Sequence, residues 1–513
     1  MTGSGKTQVY LKLIARALEQ GRGAVVLVPE IGLTPQVLRQ FAAQFGDEVA
    51  VLHSALSAGE RYDSFKKIQS GRARVVIGTR SAVFAPFDNL GLVILDEEQE
   101  HTYKSESSPR YHARDVAKFR CAYHKTLLVL ASATPSIESY YYAQTGRYTL
   151  NQLPHRYGGA RLPKVRFVDM NRELEAGNDS IYSRELLTEI EKNRKVHKQS
   201  IILLNRRGYN TFVSCKACGN VVTCPNCSIS LTYHAANQRL MCHYCGHSQP
   251  LPELCPHCYG RLQFVGMGTQ KLQEALEESY PGVEIMRMDA DTITATQSHE
   301  VLLDRFRWKQ VPILLGTQMV AKGLDFANVT LVGVVDGDLS LYADNYRAAE
   351  RTFSLLTQVV GRAGRGEKLG RAVIQTWTPD NDVINLAARQ DYDTFYEEER
   401  EMRRMLRFPP FLDLFRITLS GPEETQVLRA CAVIRRSLEP WVKPRQQGPE
   451  GPEVLGPAPA PVLKVNNRYR YRVLLKCRNG REIRAVLAQI LQAAQQDRAN
   501  RGLSIAMDVN PMD

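Results

Sequence analysis

The chain has 513 residues, 43% hydrophobic and 23% charged, which is ordinary globular composition with length for three or four domains. It carries no secretory signal, no targeting motif and no apolar run near the roughly 18 residues of a membrane span, which excludes a membrane protein and points to the cytoplasm. A formal charge of +12 permits a polyanionic partner without requiring one.

At the start, Thr2-Gly3-Ser4-Gly5-Lys6-Thr7 is most of a GxxxxGK[ST] phosphate loop, and Thr7–Gln20 reads as the helix it opens. Gly3, Ser4 and Gly5 let backbone N–H groups approach phosphate oxygens, Lys6 reaches the outer phosphates, and Thr7 is placed to ligate Mg²⁺. The motif's first glycine and its strand would precede Met1. The expectation is therefore a fragment or incomplete sequence whose first sheet lacks a central strand. Apolar runs follow at Ala24–Val28, Arg74–Ile77, Leu92–Leu95 and Leu127–Leu130, separated by helix-length segments. Continuous runs of this kind indicate parallel strands buried on both faces. Asp96-Glu97-Glu98-Gln99 closes the third run, so Asp96 would hold Mg²⁺ and Glu97 would orient an attacking water. Ser132-Ala133-Thr134 closes the fourth and resembles the helicase motif that links two halves of an ATP site.

A linker is expected over 154–175, joining a first lobe (1–153) to a second (176–400). The strand rhythm returns at Ser200–Leu204, Leu262–Val265, Val283–Met288, Val311–Leu315, Val329–Val335 and Ala372–Gln375. Between the first two of these runs, over 212–262, lie eight of the eleven cysteines, in four CxxC pairs. A CxxC turn aims two sulfurs at one point, and two pairs complete a tetrahedral Zn²⁺ shell, so two structural zinc ions are expected. With the zinc counted the working charge falls to about +8. The fourteen residues between Cys227 and Cys242 suit a hairpin that brings Cys224, Cys227, Cys242 and Cys245 together. Cys215, Cys218, Cys255 and Cys258 would then form the second site. Sequential pairing is the alternative arrangement. His243, His247 and His257 read as surface residues of short loops.

In the second lobe Gly316-Thr317-Gln318-Met319 leads to Lys322-Gly323-Leu324-Asp325, and Gln358-Val359-Val360-Gly361-Arg362-Ala363-Gly364-Arg365 is the QxxGRxGR signature of superfamily 2 helicases. Gly323, Asp325 and Gln358 would line the nucleotide, and Arg362 and Arg365 would face its γ-phosphate across the cleft as arginine fingers. A third, α+β unit over 401–513 is expected to hold strands Phe415–Leu419, Tyr469–Cys477 and Ser504–Val509 with two helices. Pro444–Pro461, rich in proline and glycine, reads as a loop.

The ordered set resembles the PriA family of bacterial primosomal replication-restart helicases. Val28-Pro29-Glu30-Ile31 with Leu33-Thr34, Gly78-Thr79-Arg80-Ser81-Ala82-Val83-Phe84-Ala85-Pro86 and the eight-cysteine insertion carry the resemblance, which runs through essentially the whole chain. It implies an α/β fold of two RecA-like lobes, a zinc insertion in the second lobe and a C-terminal α+β domain. It also implies ATP-driven 3′→5′ translocation on single-stranded DNA and unwinding at forked DNA. Primosome proteins and single-stranded DNA-binding protein are the implied partners, near the nucleoid. By the same resemblance the nested cysteine pairing is expected, and the loop holding Tyr103, Lys104, Arg110 and Tyr111 couples DNA contact to hydrolysis. Arg468-Tyr469-Arg470-Tyr471-Arg472 alternates arginine and tyrosine on the two faces of a strand, which suits a DNA-binding face or an ordinary sheet equally. Gln99 stands where the family more often has histidine, and still donates and accepts hydrogen bonds. The competing expectation is a non-catalytic scaffold for fork DNA and primosome proteins, suggested by the incomplete phosphate loop.

Overall fold

The computed structural model describes residues 4–29, 35–156, 162–204, 212–215, 222, 225, 231–234, 238–241, 247–265, 269–288, 299–308, 310–317, 326, 328–338, 340–341, 345–363, 370–445 and 451–512. It divides into two compact units. Met1–Arg207, Leu272–Ala343 and Arg347–Glu397 form the first, and Gly208–Lys271, Asp344–Tyr346 and Glu398–Asp513 form the second.

The first unit opens with α1 (Lys6–Glu19), β1 (Gly23–Leu27), α2 (Pro35–Phe45), β2 (Val49–Leu52), α3 (Ala58–Gln69) and β3 (Val75–Gly78). It continues with β4 (Leu90–Asp96), α4 (Ala113–Tyr123), β5 (Leu127–Ala131) and α5 (Ile137–Gln144). The five strands are parallel in the order β2-β3-β1-β4-β5. Side chains alternate across the sheet: Val25 and Leu27 face α4, while Ala24, Val26 and Val28 face α1. That two-sided burial is why the strands read as unbroken apolar runs. The five strands pair without a break, β1 being hydrogen-bonded to β3 on one side and to β4 on the other, and β5 lies at the edge, only partly buried. Strand β2 escaped the sequence reading: it is four residues long and buries only alternate side chains.

The second lobe begins with β6 (Lys164–Asp169), α6 (Met170–Glu175), α7 (Arg184–Lys195) and β7 (Gln199–Leu203). The linker expected over 154–175 is therefore corrected, since Lys164–Asp169 pairs in parallel with a later strand and ends the sheet. Its burial is mostly partial, as suits an edge, so it offers no continuous apolar run to read. Strands β8 (Phe212–Cys215), β9 (Thr232–His234), β10 (Arg239–Met241), β11 (Ser248–Pro250) and β12 (Leu262–Val265) then intervene. They form an antiparallel sheet of the second unit, so Leu262–Val265 is not a strand of the second lobe. The lobe resumes with α8 (Thr269–Ser279), β13 (Ile285–Met288), α9 (His299–Trp308), β14 (Ile313–Gly316), β15 (Val329–Val334), α10 (Ala348–Val360), β16 (Arg371–Thr376), α11 (Asp382–Arg389) and α12 (Tyr392–Met405). Its six parallel strands run β13-β14-β7-β15-β16-β6.

Helix α5 follows the last strand of the first lobe but is buried in the second. Ile137 and Tyr140 lie in one apolar cluster with Phe353, Leu356, Phe395 and Tyr396, and the Tyr140 ring meets Tyr396 edge-on at 4.6 Å. The Tyr392 hydroxyl donates to the carbonyl of Pro135 at 2.7 Å. The two lobes are thus joined through a hydrophobic core as well as a polar cleft.

The C-terminal sheet of the second unit contains β17 (Asp413–Gly421), β18 (Glu453–Val465), β19 (Arg468–Cys477) and β20 (Ser504–Val509). They pair antiparallel in the order β18-β19-β17-β20, backed by α13 (Glu424–Val442) and α14 (Arg481–Gln496) over a core that includes Phe415, Ile417, Val427, Ile434, Val473 and Leu487. The loop expected over Pro444–Pro461 is corrected from Glu453 onward. Strand β18 is an edge strand, where a missing N–H faces away from the ladder, and its register breaks between Leu455 and Ala458 and again between Pro459 and Lys464. Tyr471 packs on the core and bonds Glu424, so the Arg468–Arg472 stretch serves an ordinary sheet on that face.

Candidate active site

Gly5 caps α1 with φ of 86°, a left-handed conformation that glycine adopts without strain, and Lys6 is the first helical residue. The Lys6 ammonium donates to Glu97 Oε1 at 2.6 Å and lies 3.4 Å from Asp96 Oδ1. Both acids end β4, and Glu97 has φ of 47°, a conformation that costs a non-glycine residue energy and marks functional turns. One helical turn beyond Lys6, Tyr10 donates its hydroxyl to Asp96 Oδ1 at 2.7 Å. This residue was missed, although its i, i+4 spacing from Lys6 places it on the same face. Ser4 and Thr7 flank Lys6 at half-buried positions.

The second lobe supplies the other wall. Gln358, buried on α10, donates to Glu97 Oε2 at 3.1 Å, and the Gln99 amide reaches the same oxygen at 2.9 Å. The Gln358 carbonyl oxygen is buried with no hydrogen-bond partner among the described residues, so an acceptor stands ready beside Glu97. Burial opposes ionisation of Glu97. Lys6, the Gln99 hydrogen bond and the Arg362 charge outweigh it and hold the carboxyl down to about 2. Burial likewise opposes the charge on Lys6, but Glu97 and Asp96 raise it above the ordinary lysine value. Ser132 donates to Gln99 Oε1 at 2.6 Å, and the Thr134 hydroxyl lies 2.8 Å from that of Ser354 on α10. The Ser132–Thr134 motif therefore touches both halves of the site, as its resemblance implied. Gly3, Gly323, Asp325 and Arg365 lie outside the described residues.

Glu98, which the sequence left without a role, faces away from the phosphate loop. It accepts from Arg114 at 2.9 Å, from the Ser136 amide at 2.7 Å and from the Ser139 hydroxyl at 2.9 Å. Stripping one partner from a buried ion pair costs about 3–5 kcal/mol, so this contact fixes α4 and the start of α5 to the end of β4.

The loop expected to meet DNA is only partly available. Tyr103 is 1% exposed, and its hydroxyl lies 2.7 Å and 2.9 Å from the carbonyls of Asp96 and Leu27. Direct contact of Tyr103 with DNA, expected of this loop, is corrected: the ring is core, and the hydroxyl ties the ends of two central strands. Lys104 is also buried, while its carbonyl accepts from Arg80 at 2.6 Å. Tyr111 and Arg110 are half-buried, with Tyr111 edge-on to Phe84 at 5.0 Å, and the exposed stretch between is 106–109.

His112 ends this loop and caps α4, its Nδ1 accepting from the Arg114 amide at 3.1 Å. Burial first, then the charges of Arg114, Lys104, Arg347 and Lys118, hold it well below its ordinary pKa, so it is neutral when folded. The unfolded chain takes up this proton first as pH falls. The His112 contribution to stability is therefore complete above about pH 6.5 and shrinks below it, by up to roughly 1.4 kcal/mol per pH unit. His112→Asn keeps a capping acceptor and removes the titration. Thermal melts from pH 7 to pH 5 should show a shallower acid loss in this variant, and parallel curves would refute the assignment.

In the cysteine segment, the surroundings of Cys255 suit a metal-binding thiolate. Cys255 is fully buried, its amide donates to Gly260 O at 2.9 Å, its carbonyl accepts from Tyr259 at 3.0 Å, and its sulfur accepts from the His257 amide at 3.4 Å. A tight turn that aims backbone N–H at sulfur stabilises thiolate, the form that binds metal. Cys218, Cys224, Cys227, Cys242 and Cys245, with the Cys215 side chain, lie outside the described residues. His257 is exposed, in keeping with a loop residue. No helix among the described residues is long and apolar enough to cross a membrane.

Four family profiles match in order. They are described as DEAD/DEAH box helicase (1–141), PriA DNA helicase Cys-rich region domain (224–250), helicase conserved C-terminal domain (257–367) and primosomal protein N C-terminal domain (404–512). The chain is 45% identical over 512 residues to the replication restart protein PriA of Bacillus subtilis, covering 100% of this chain and 63% of that one. It is 39% identical to the PriA protein of Chlamydia pneumoniae and 38% identical to that of Treponema pallidum, in each case over its whole length and over 68% and 76% of theirs. It thus spans less than two thirds of the Bacillus subtilis relative. Two helicase lobes facing one another across Lys6, Glu97 and Gln358, a cysteine-rich module and a matching C-terminal domain make this chain a member of the PriA family of replication restart proteins.

Proposed function

We propose that the whole protein is an ATP-driven 3′→5′ DNA helicase that remodels stalled replication forks and starts primosome assembly. The observation that carries this reading is Glu97, held from one lobe by Lys6 at 2.6 Å and from the other by Gln358 at 3.1 Å. A carboxylate gripped by both lobes is ordered fully only when they meet, so lobe movement on DNA can gate hydrolysis. In this reading Lys6 binds the outer phosphates, and Asp96 with Thr7 would hold the Mg²⁺ that neutralises phosphate charge. Glu97 and the Gln358 carbonyl orient the attacking water. Arg362, and by the motif Arg365, oppose charge on the γ-phosphate, a contribution of about 10³–10⁵ in rate for an arginine finger. The cysteine module carries two zinc ions in the nested arrangement and supports strand separation. Primosome proteins and single-stranded DNA-binding protein are the proposed partners, at forks in the nucleoid.

The test uses the protein expressed from its complete reading frame. ATP hydrolysis should rise on adding forked DNA, and a partial duplex with a 3′ tail should be unwound in preference to one with a 5′ tail. Absence of hydrolysis with Lys6 and Glu97 intact would end the enzymatic reading. DNA binding insensitive to ATP would support the scaffold instead.

A further inference from the structure

Helix α10 carries Glu350, Ser354 and Gln358 at i, i+4 and i+8, one stripe of a 3.6-residue helix. Each reaches a different part of the first lobe. Gln358 donates to Glu97, the Ser354 hydroxyl meets that of Thr134, and Glu350 accepts from the Ile137 amide at 3.1 Å. At the N-cap of the same helix, Arg347 donates to Glu138 on α5 at 2.6 Å and 3.1 Å and to Glu350 at 3.2 Å. Thr134, Glu138, Arg347, Glu350, Ser354 and Gln358 are all buried. The proposed hydrolysis uses only the rung nearest the nucleotide, which leaves a buried arginine and two buried carboxylates at the far end unexplained.

We propose that Arg347, Glu138 and Glu350 are positioning residues for hydrolysis: they fix the register of α10 against α5 and thereby place Gln358 and Arg362 at Glu97. The proposal rests on the reading that Glu97 and Gln358 serve in ATP hydrolysis. The eleven positions from Arg347 to Gln358 span about 16 Å at roughly 1.5 Å per residue, and a packed helix moves as a body over that length. A two-pronged guanidinium–carboxylate contact fixes angle as well as distance, which a point charge does not. Misplacing a reacting group by about 1 Å can cost about 10²-fold in rate, so a small slip at the far end is enough to be measured. Glue between the lobes is the plainer role, and it differs in outcome. Glue alone would alter stability without separating turnover from nucleotide affinity.

Arg347→Lys keeps the charge and removes the fork. In the protein from its complete reading frame it should lower kcat for ATP about tenfold or more, with KM changed less than about threefold. Amide exchange should quicken both at Ile137–Gln144 and at residues 358–363. Glu350→Gln, which keeps an acceptor for Ile137, should give a smaller shift of the same kind. It carries the test through the same two readouts if Arg347→Lys fails to fold. Unchanged kcat, or faster exchange confined to α5 and the first turn of α10, would overturn the proposal. If the unaltered protein hydrolyses no ATP, the enzymatic reading fails, and the exchange pattern still decides whether the far end of α10 sets the near one.

Discussion

Glu97→Gln is expected to cut ATP turnover by about 10²–10³-fold while leaving ATP binding within a few-fold. The amide preserves the side chain's shape and an acceptor for Gln358 and Gln99, so the pocket should persist. What it loses is the negative charge that Lys6 and Arg362 surround. That charge also frames the mechanism. A carboxylate held at about 2 is a poor proton acceptor near neutral pH, so in this arrangement Glu97 orients water electrostatically. Phosphate oxygens that draw Lys6 away would remove its strongest stabilising charge and raise its affinity for a proton. Because the folded value lies below the ordinary carboxylate one, the Glu97 contribution to stability is present above about pH 4.3 and is lost as pH falls through about 2. Single-turnover hydrolysis set beside equilibrium ATP binding separates the two effects. Hydrolysis within about threefold of the unaltered protein would remove Glu97 from its proposed role.

The parts of the site that were legible are those whose chemistry restricts residue choice locally. Gly5 before Lys6 and two acids at the end of an apolar strand are narrow chemical signatures of a phosphate and metal site, and they do meet. Tyr103 was misjudged because a polar, aromatic loop looks exposed, and nothing local says that its hydroxyl closes on the carbonyls of Asp96 and Leu27. Leu262–Val265 has the composition of a lobe strand, and only its partner, Phe212–Cys215, assigns it to the other sheet. Strand β18 was hidden by prolines that an edge strand tolerates. Helix α5 shows the limit most clearly. Ile137 and Tyr140 announce a buried face, but burial in the core of the opposite lobe follows from long-range packing that no periodicity encodes. Glu98, Arg347 and Glu350 were silent for the same reason, since a charged residue in a helix usually signals a solvated face.

Removal of zinc is expected to unfold the cysteine segment while both lobes keep their melting transition. Strands β9, β10 and β11 have three residues each, and the fully buried apolar side chains described there are Val213, Val222, Leu231 and Leu240. Each such side chain contributes about 1.5–3 kcal/mol, whereas a structural zinc site contributes about 10–16 kcal/mol, so metal dominates the segment's stability. The lobes bury their own large clusters, none of which includes a residue of the cysteine segment. Chelation should therefore erase amide protection at Thr232–His234 and Arg239–Met241 and release close to two zinc ions per chain. Protection at Val25–Leu27 and Ile201–Leu203 should be unaltered. Cys255→Ser should reproduce the loss in part, because it removes one fully buried sulfur from one site. The effect should also reach one place outside the segment. Val465, at the end of β18, packs against the small cluster, so exchange should quicken around the turn from Val465 to Arg468 and remain slow at Val473 and Leu475 in the domain core. Protection of β9 and β10 that survives complete metal removal would mean that the four apolar side chains suffice and that the metal's role is not structural.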